Sequence, residues 1–303
     1  MTAHYISFPA LGWKFFLDPV LAEFTLFGRE FSIRWYGALI ATGFLLAVIY
    51  ASWRGKKLGI NSDRMMDAVL LTTLVAFVGA RLYYVLFCGR LTEYLQDPLS
   101  IFAVWNGGLG IYGGVITAFL FGSWMCRIKN LPLVGMFDLA SLGFLIGQCI
   151  GRWGNFFNQE AFGGNTALPW GMTGDIIASG VNGSGYDITL PVHPTFFYES
   201  IWCLLGFILL HILSEKAYRF QGELFCGYLV WYGVGRFFIE ALRTDSLMIG
   251  PIRTSQLVAV LAVAGGTAFF FFLRKRGTRP AAEEEKAEEQ NDQKENRNHG
   301  ETD

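Results

Sequence analysis

Thirteen consecutive residues, Gly151-Arg152-Trp153-Gly154-Asn155-Phe156-Phe157-Asn158-Gln159-Glu160-Ala161-Phe162-Gly163, concentrate the polar chemistry of this chain. They follow an apolar run, Leu139 to Ile150, that reads as the second half of a membrane-spanning helix. An arginine, two asparagines, a glutamine and a glutamate therefore sit where a bilayer makes them costly. A charge at the centre of a spanning helix costs roughly 2.5–3.5 kcal/mol on insertion scales, so such residues have a task or a partner. Any one of them reads equally well as an interfacial anchor at a helix end. Together, and punctuated by glycines, they read as a site, with Arg152, Asn155, Asn158, Glu160 and Gly163 its candidate residues.

A second constellation, Gly235-Arg236-Phe237-Phe238-Ile239-Glu240-Ala241-Leu242-Arg243, closes a later apolar run. On a helix Arg236, Glu240 and Arg243 share one face. They form either a self-satisfying ion pair or a guanidinium held by Glu240 and offered to an anion. The planar fork of arginine suits phosphate, because it donates two parallel hydrogen bonds. Arg152 and Arg236 both fall at helix ends on the same side, so they could meet around one phosphate.

Other stretches carry weaker signals. Trp105-Asn106 leads into Gly107-Gly108-Leu109-Gly110-Ile111-Tyr112-Gly113-Gly114, with five glycines in its last eight residues. Such a stretch permits close helix packing; Tyr112 within it is a ligand partner or an interfacial aromatic. Arg34-Trp35-Tyr36-Gly37 opens the first apolar run and offers Tyr36. His193-Pro194-Thr195-Phe196-Phe197-Tyr198-Glu199 joins a titratable histidine to a helix-starting proline. Arg81, inside the second run, either snorkels outward or holds a phosphate or an acid. Asp67 and Asp138 fall near helix starts, where a carboxylate favours the dipole.

These residues need a scaffold, and composition indicates which. Of 303 residues 52% are hydrophobic and only 16% charged, well below the ~25% charged of soluble domains, so the profile is that of a membrane protein. The totals of 24 basic and 25 acidic residues hide an asymmetry. From Pro280 onward there are nine acids and three bases, which leaves 16 acids against 21 bases in residues 1–279. The bases lie in short loops without interleaved aromatics, which excludes a nucleic-acid binder. Cys88, Cys126, Cys149, Cys203 and Cys226 lie in or beside apolar runs with no CxxC pair, so they read as small buried hydrophobes. No removable signal peptide is expected at the N-terminus. No metal, nucleotide or redox motif is present, and no cofactor is expected.

Seven segments are expected to span: 34–52, 66–88, 108–126, 133–150, 196–213, 222–240 and 255–273. The expected fold is an all-α polytopic membrane protein with an extracytoplasmic loop or small head between helices 4 and 5. Residues 1–33 form an extracytoplasmic segment, 34–276 the seven-helix domain with its outer loop at about 151–195, and 277–303 a disordered acidic tail. Arg54, Lys56, Lys57, Arg64, Arg127, Lys129, Lys216, Arg219 and the Arg274–Arg279 cluster all favour the N-terminus outside and the C-terminus in the cytoplasm.

GRWGNFFNQEAFG at 151–163 resembles the signature of the bacterial prolipoprotein diacylglyceryl transferase family. RWYG at 34–37, GGLGIYGG at 107–114, HPTFFYE at 193–199 and GRFFIEALR at 235–243 resemble its other motifs, in the family's order. The resemblance covers about 30–275 and implies a cell-membrane enzyme. It would move the diacylglyceryl group of phosphatidylglycerol onto the lipobox cysteine of a preprolipoprotein signal peptide, among membrane lipids and without a cofactor. On that implication Arg152 and Arg236 hold the phosphate and Glu240 orients Arg236. Asn155, Asn158 and Glu160 bind glycerol hydroxyls or position neighbours, and Tyr36 contacts the lipid. Arg243, Arg81, Gly163 and His193 complete the candidate substrate site. One position departs: many members carry a histidine, often given the role of base, where this chain has Tyr112. A tyrosine with a pKa near 10 is a poor base at neutral pH. Tyr112 stays in the candidate catalytic set with Arg152, Arg236 and Glu240 as a hydrogen-bond partner, and Glu160, His193 or water takes the proton, or no dedicated base is needed.

Two other classes compete. A small-anion transporter also needs arginines in a helical bundle, but places them near the midplane or between repeats; no repeat is visible here. A lipid-binding scaffold has no need of several polar clusters converging on one side.

Overall fold

A bilayer core about 30 Å thick needs about 20 helical residues, and no backbone group inside it can be left unpaired. The computed structural model describes residues 4–26, 29–103 and 107–276. Trp105, Asn106 and the acidic tail lie outside the described residues.

The chain opens with four strands, β1 (His4–Phe8), β2 (Trp13–Leu17), β3 (Val20–Leu26) and β4 (Arg29–Arg34). Helices α1 (Trp35–Lys57), α2 (Ser62–Phe87), α3 (Leu91–Gln96), α4 (Ile111–Ile128) and α5 (Leu133–Asn158) follow. Then come β5 (Thr173–Gly174), α6 (Asp175–Ser179), α7 (Thr195–Lys216), α8 (Glu223–Leu242), β6 (Met248–Ile249), β7 (Ile252–Arg253) and α9 (Thr254–Arg276). Among the described residues six helices, α1, α2, α4, α5, α7 and α9, are long and apolar enough to cross a membrane. The protein is a multi-pass membrane protein. Helix α8 is long enough but carries Glu223, Arg236 and Glu240 and is not among the six.

The architecture is mostly helical and not all-α. Among the described residues three small antiparallel sheets form: β2-β1-β5, the hairpin β3-β4, and β6-β7. The strand signal was present before Arg34. In β3 and β4 apolar residues alternate, and the register places Phe24 opposite Phe31 and Ala22 opposite Ile33, with Glu23 and Thr25 on the other face.

The described residues fall into two compact units, one taking in everything up to Ala51 and from Phe137 onward, the other Ser52–Met136. In the second unit α2 and α4 pack with almost no space between them. A Cβ on Gly79 would lie 2.0 Å from the Thr117 hydroxyl, and one on Gly113 2.5 Å from the Gly79 carbonyl. The glycine-rich 107–114 stretch is thus a helix-packing device. Asp67 pairs with Lys129 at 2.6 Å.

In the first unit a buried cluster of Leu142 and Leu145 (α5), Cys203 and Leu210 (α7) and Leu224 (α8) ties three helices together. At one end of the bundle a second cluster joins Ile6, Phe156, Phe162, Met172, Ile177, Val192 and Phe196. Asp138 is fully buried and accepts the Tyr218 hydroxyl at 2.7 Å and the backbone N–H groups of Gly222 and Phe225 at 2.5 and 2.8 Å. It caps the start of α8, not that of its own helix, satisfying orphan donors that have no intrahelical partner.

Helices α7 and α8 are joined by a reciprocal pair of indoles. Trp202 donates to the Trp231 carbonyl and Trp231 to the Trp202 carbonyl, each at 2.9 Å, with the rings stacked at 4.4 Å. Only glycine leaves room opposite each ring: a Cβ on Gly235 would meet Trp202 at 2.1 Å, and one on Gly206 would meet Trp231 at 2.4 Å.

Candidate active site

The 151–163 motif does not open a loop at once, as the sequence suggested; α5 runs on through Asn158. The extra two turns are held from the side. Trp153 donates its indole N–H to Ser200 at 3.2 Å, and Phe156 packs against Phe196. The helix then ends in a Schellman pair: Glu160 N–H bonds to Asn155 C=O at 3.1 Å and Gln159 N–H to Phe156 C=O at 3.2 Å. That turn puts Gln159 at φ 48°, and Ala161 follows at φ 56°. Left-handed backbone at a residue with a Cβ costs about 1–2 kcal/mol, so something must hold it. The buried Gln159 side chain does so, accepting from Ile176 N–H at 3.1 Å and donating to Tyr5 C=O at 3.2 Å.

Beyond the turn the loop is knitted to the start of α7 and the end of α8. Gly163 N–H bonds to His193 C=O at 2.9 Å, Gly164 N–H to Leu242 C=O at 2.9 Å, and Thr244 N–H to Phe162 C=O at 3.3 Å. Thr195 donates its hydroxyl to Ala161 C=O. A Cβ at Gly163 would lie 2.8 Å from His193 Cβ and 3.0 Å from Leu242 O, so the knot closes only around glycine.

This convergence assembles four charges. Glu199 on α7 takes Arg152 Nη2 of α5 at 2.5 Å on Oε1, and Arg236 Nη1 of α8 at 3.2 Å on Oε2 and 3.4 Å on Oε1. Glu240, one turn further along α8, takes Arg236 Nη2 at 2.6 Å. Glu199 and Glu240 are buried; the two arginine side chains keep 20% and 14% of their surface open. Two cations and two anions balance, which is what makes so many charges tolerable here. Arg253 adds a hydrogen bond to the Glu240 carbonyl.

A second polar group lies one turn along α5. Asn155 and Asn158 both donate to Oε1 of Glu160, at 3.0 and 3.1 Å. The Tyr36 ring fills the space opposite Gly154, where a Cβ would meet it at 2.4 Å. Its hydroxyl lies in the field of both Glu160 and Arg152. His193 contacts the Tyr198 hydroxyl through Nδ1 at 3.1 Å, and Tyr198 also accepts the Trp170 indole N–H at 2.8 Å. Burial pushes the His193 pKa down, so the ring is neutral at pH 7.

A model of the prolipoprotein diacylglyceryl transferase family matches residues 23–272. The chain belongs to that family. It is 43% identical over 243 residues to the phosphatidylglycerol–prolipoprotein diacylglyceryl transferase of Clostridioides difficile, covering 80% of this chain and 91% of that one. The enzyme of the same name from Bacillus cytotoxicus is 41% identical over 242 residues, covering 80% and 88%. That from Limosilactobacillus reuteri is 41% identical over 255 residues, covering 82% and 89%.

In this member of the transferase family the structure brings together Arg152, Arg236 and Glu240, and separately Asn155, Asn158 and Glu160. Arg243 does not share the α8 face expected for it. The helix ends at Leu242 because residue 243 pairs with Gly163 in extended backbone, and the guanidinium turns to Asp245 at 2.9 and 2.8 Å. Arg81 and Tyr112 belong to the 52–136 unit. Arg81 gives its guanidinium to the carbonyls of Ser100, Ile101, Gly107 and Gly108 at 2.7–2.9 Å, which fastens the segment before α4. Tyr112, in the first turn of α4, is half-exposed beside Tyr83. Sequence reasoning named Glu199 within its motif but gave it no place in the site. The signal was there: a carboxylate on an apolar helix needs a cation, and Arg152 had no acid at helical spacing.

Proposed function

We propose that this chain moves the diacylglyceryl group of phosphatidylglycerol onto the thiol of a lipobox cysteine in a preprolipoprotein, forming a thioether and releasing glycerol phosphate. It is a transferase, as its family and the names of its relatives indicate. The observation that carries the mechanism is the pair Arg152 and Arg236, drawn from two helices to one carboxylate, Glu199.

In the reaction the cysteine sulfur attacks the glycerol carbon that bears the phosphate ester. The new S–C bond forms as the C–O bond breaks, and the leaving oxygen keeps the electron pair. The phosphate gains negative charge in that step, and the two guanidiniums neutralise it in a water-poor setting where they act most strongly. Glu240 orients Arg236. Glu160, with Oε1 fixed by two amides, takes the thiol proton on Oε2, since the thiolate is the nucleophile. His193 has Nδ1 engaged with the Tyr198 hydroxyl, and we assign the thiol proton to Glu160 instead. Asn155 and Asn158 position Glu160, and Tyr36 contacts the lipid. Gly163 keeps the loop closed, and Arg243 supports it through Asp245. We read Arg81 as a clamp on its own loop. Tyr112 is assigned no step.

We further read α8 as a seventh span, its charges neutralised by Arg219 on Glu223 and by the paired Arg236 and Glu240. The basic loops favour an N-terminus outside the cytoplasm, with the site at the outer face of the bacterial cell membrane. The acidic tail would then be cytoplasmic.

The test is transfer of radiolabelled diacylglyceryl from phosphatidylglycerol to a synthetic lipobox peptide, with a Cys→Ser peptide as control. Label on the cysteine peptide alone, lost in Arg152→Ala and Arg236→Ala, is the expected result. Near wild-type transfer by both folded variants would refute the phosphate assignment.

A further inference from the structure

We propose that Glu199 is the positioning residue of this site: one buried carboxylate that grips both arginines from behind and sets the gap between them. The inference rests on the phosphate role given to Arg152 and Arg236 above.

The geometry makes the case. Glu199 Oε1 takes Arg152 at 2.5 Å, while Arg236 Nη1 lies across both oxygens, 3.2 Å from Oε2 and 3.4 Å from Oε1. A single planar carboxylate therefore fixes the distance between two cations that would otherwise repel. Glu240 cannot replace it, because it reaches Arg236 and not Arg152. Among the described residues Glu199 is the acid paired with Arg152. The exposures give the direction of the grip. Glu199 keeps 4% of its side-chain surface open, against 20% for Arg152 and 14% for Arg236. Glu199 is the most deeply buried of the three, so an anion coming from solvent meets the arginine side chains first.

The backbone holds this carboxylate as firmly as the carboxylate holds the arginines. Glu199 lies three residues from Trp202, on the same face of α7, and Trp202 is bonded to the α8 backbone at Trp231. Its neighbour Ser200 donates to Cys149 C=O at 2.8 Å, one turn below Arg152 on α5. The three helices that supply the cluster are thus pinned at the level of Glu199 itself.

A positioning group of this kind acts on the transition state. Ground-state phosphatidylglycerol carries one negative charge at its phosphate, and departure of the glycerol phosphate creates a second. Two guanidiniums already aimed stabilise that second charge without reorganising. Removing the Glu199 charge lets the arginines spread, which slows the chemical step more than it weakens lipid binding.

The experiment measures kcat and KM for phosphatidylglycerol with purified full-length protein and a lipobox peptide. It compares wild type, Glu199→Gln, Glu199→Asp, Arg152→Lys and the double variant Glu199→Gln/Arg152→Lys. Glu199→Gln is expected to lower kcat by about tenfold or more while KM stays within about threefold. Glu199→Asp keeps the charge but falls one methylene short of reaching both arginines, so its kcat lies between the two. The double variant is expected to be about as slow as the slower single one, because both remove the same arrangement.

Wild-type kcat in Glu199→Gln, or losses that multiply in the double variant, overturns the proposal. A KM that falls sharply in Glu199→Gln also overturns it, since the carboxylate would then be occupying the place of the phosphate. If Glu199→Gln does not fold, Glu199→Asp decides by the same criteria: reduced kcat at unchanged KM supports the role, and wild-type kcat refutes it. An inactive wild type would instead defeat the transferase reading, so the two failures are distinguishable.

Discussion

Replacing Gly235 by alanine adds one methyl group at the most crowded point of the α7–α8 contact. The new Cβ would lie 2.1 Å from Trp202 Nε1, 2.3 Å from Cδ1 and 2.7 Å from Cε2. Carbon atoms in contact need about 3.5–4.0 Å, so the indole has to retreat by more than an ångström. It cannot turn aside cheaply, because it is stacked on Trp231 and bonded to its carbonyl. Overpacking of this kind costs about 1–3 kcal/mol. Orphaning the indole N–H in an apolar interior costs about 1–3 kcal/mol more. The better helix propensity of alanine offsets about 1 kcal/mol. The net loss is about 3 kcal/mol, which lowers Tm by roughly 6–12 °C for a domain of this size.

The effect should also reach the site, since Gly235 precedes Arg236 and Trp202 lies one turn from Glu199. Gly265→Ala on α9 is the control, because nothing lies within 4 Å of its added Cβ. A thermal unfolding scan of detergent-solubilised protein, with transfer activity on the same samples, reads both quantities. Wild-type Tm and activity in Gly235→Ala, or an equal loss in Gly265→Ala, would refute the claim that the indole clasp sets this geometry.

Other consequences can be checked as directly. Gly154→Ala drives a Cβ to within 2.4 Å of the Tyr36 ring, and is expected to reduce transfer severalfold. Steady-state kinetics beside a melting curve will show whether activity falls further than stability. Arg81→Ala removes four hydrogen bonds to carbonyls before α4, and is expected to speed proteolytic nicking around residues 100–108. Mapping the first cut by mass spectrometry tests it. His193 has its pKa lowered by burial, so the unfolded chain takes up a proton at higher pH than the folded one. Its stabilising contribution is therefore present above the ordinary histidine pKa of about 6.5 and is lost as pH falls through the lower folded value. Tm measured from pH 7.5 to 5 should fall less in His193→Gln than in wild type; parallel curves would contradict the assignment.

Much of this was legible in the chain itself. Six of the seven expected spans were readable because an apolar run of about 20 residues has few other uses, and the arginines stood out because charges in such runs are costly. The convergence of Arg152 on Arg236 was readable as an expectation from the same end of two helices. The partner joining them was not. Glu199 lies 47 residues from Arg152 and 37 from Arg236 in sequence, and only the three-helix packing brings them together. The continuation of α5 through Asn158 was hidden for a related reason. Gly151 and Gly154 look like helix breakers, but Gly154 is small because Tyr36 lies against it. The early strands were overlooked because hydropathy dominates the reading of a membrane chain and short alternating segments add little to it. Arg243 departed from its helical face because the loop at Gly163 claims its backbone.

The paired indoles of Trp202 and Trp231 carry one more implication. Each N–H needs the other helix's carbonyl at its own height, so sliding α7 along α8 by one residue, about 1.5 Å, would break both bonds together. The two helices have a single register, and the elements that carry Glu199, Arg236 and Glu240 keep it whether or not a lipid is present. The cost of bringing like charges together is then met once, when the chain folds, and not again at each turnover. Any motion that admits a phospholipid and a prolipoprotein has to occur in parts of the molecule that this clasp does not tie.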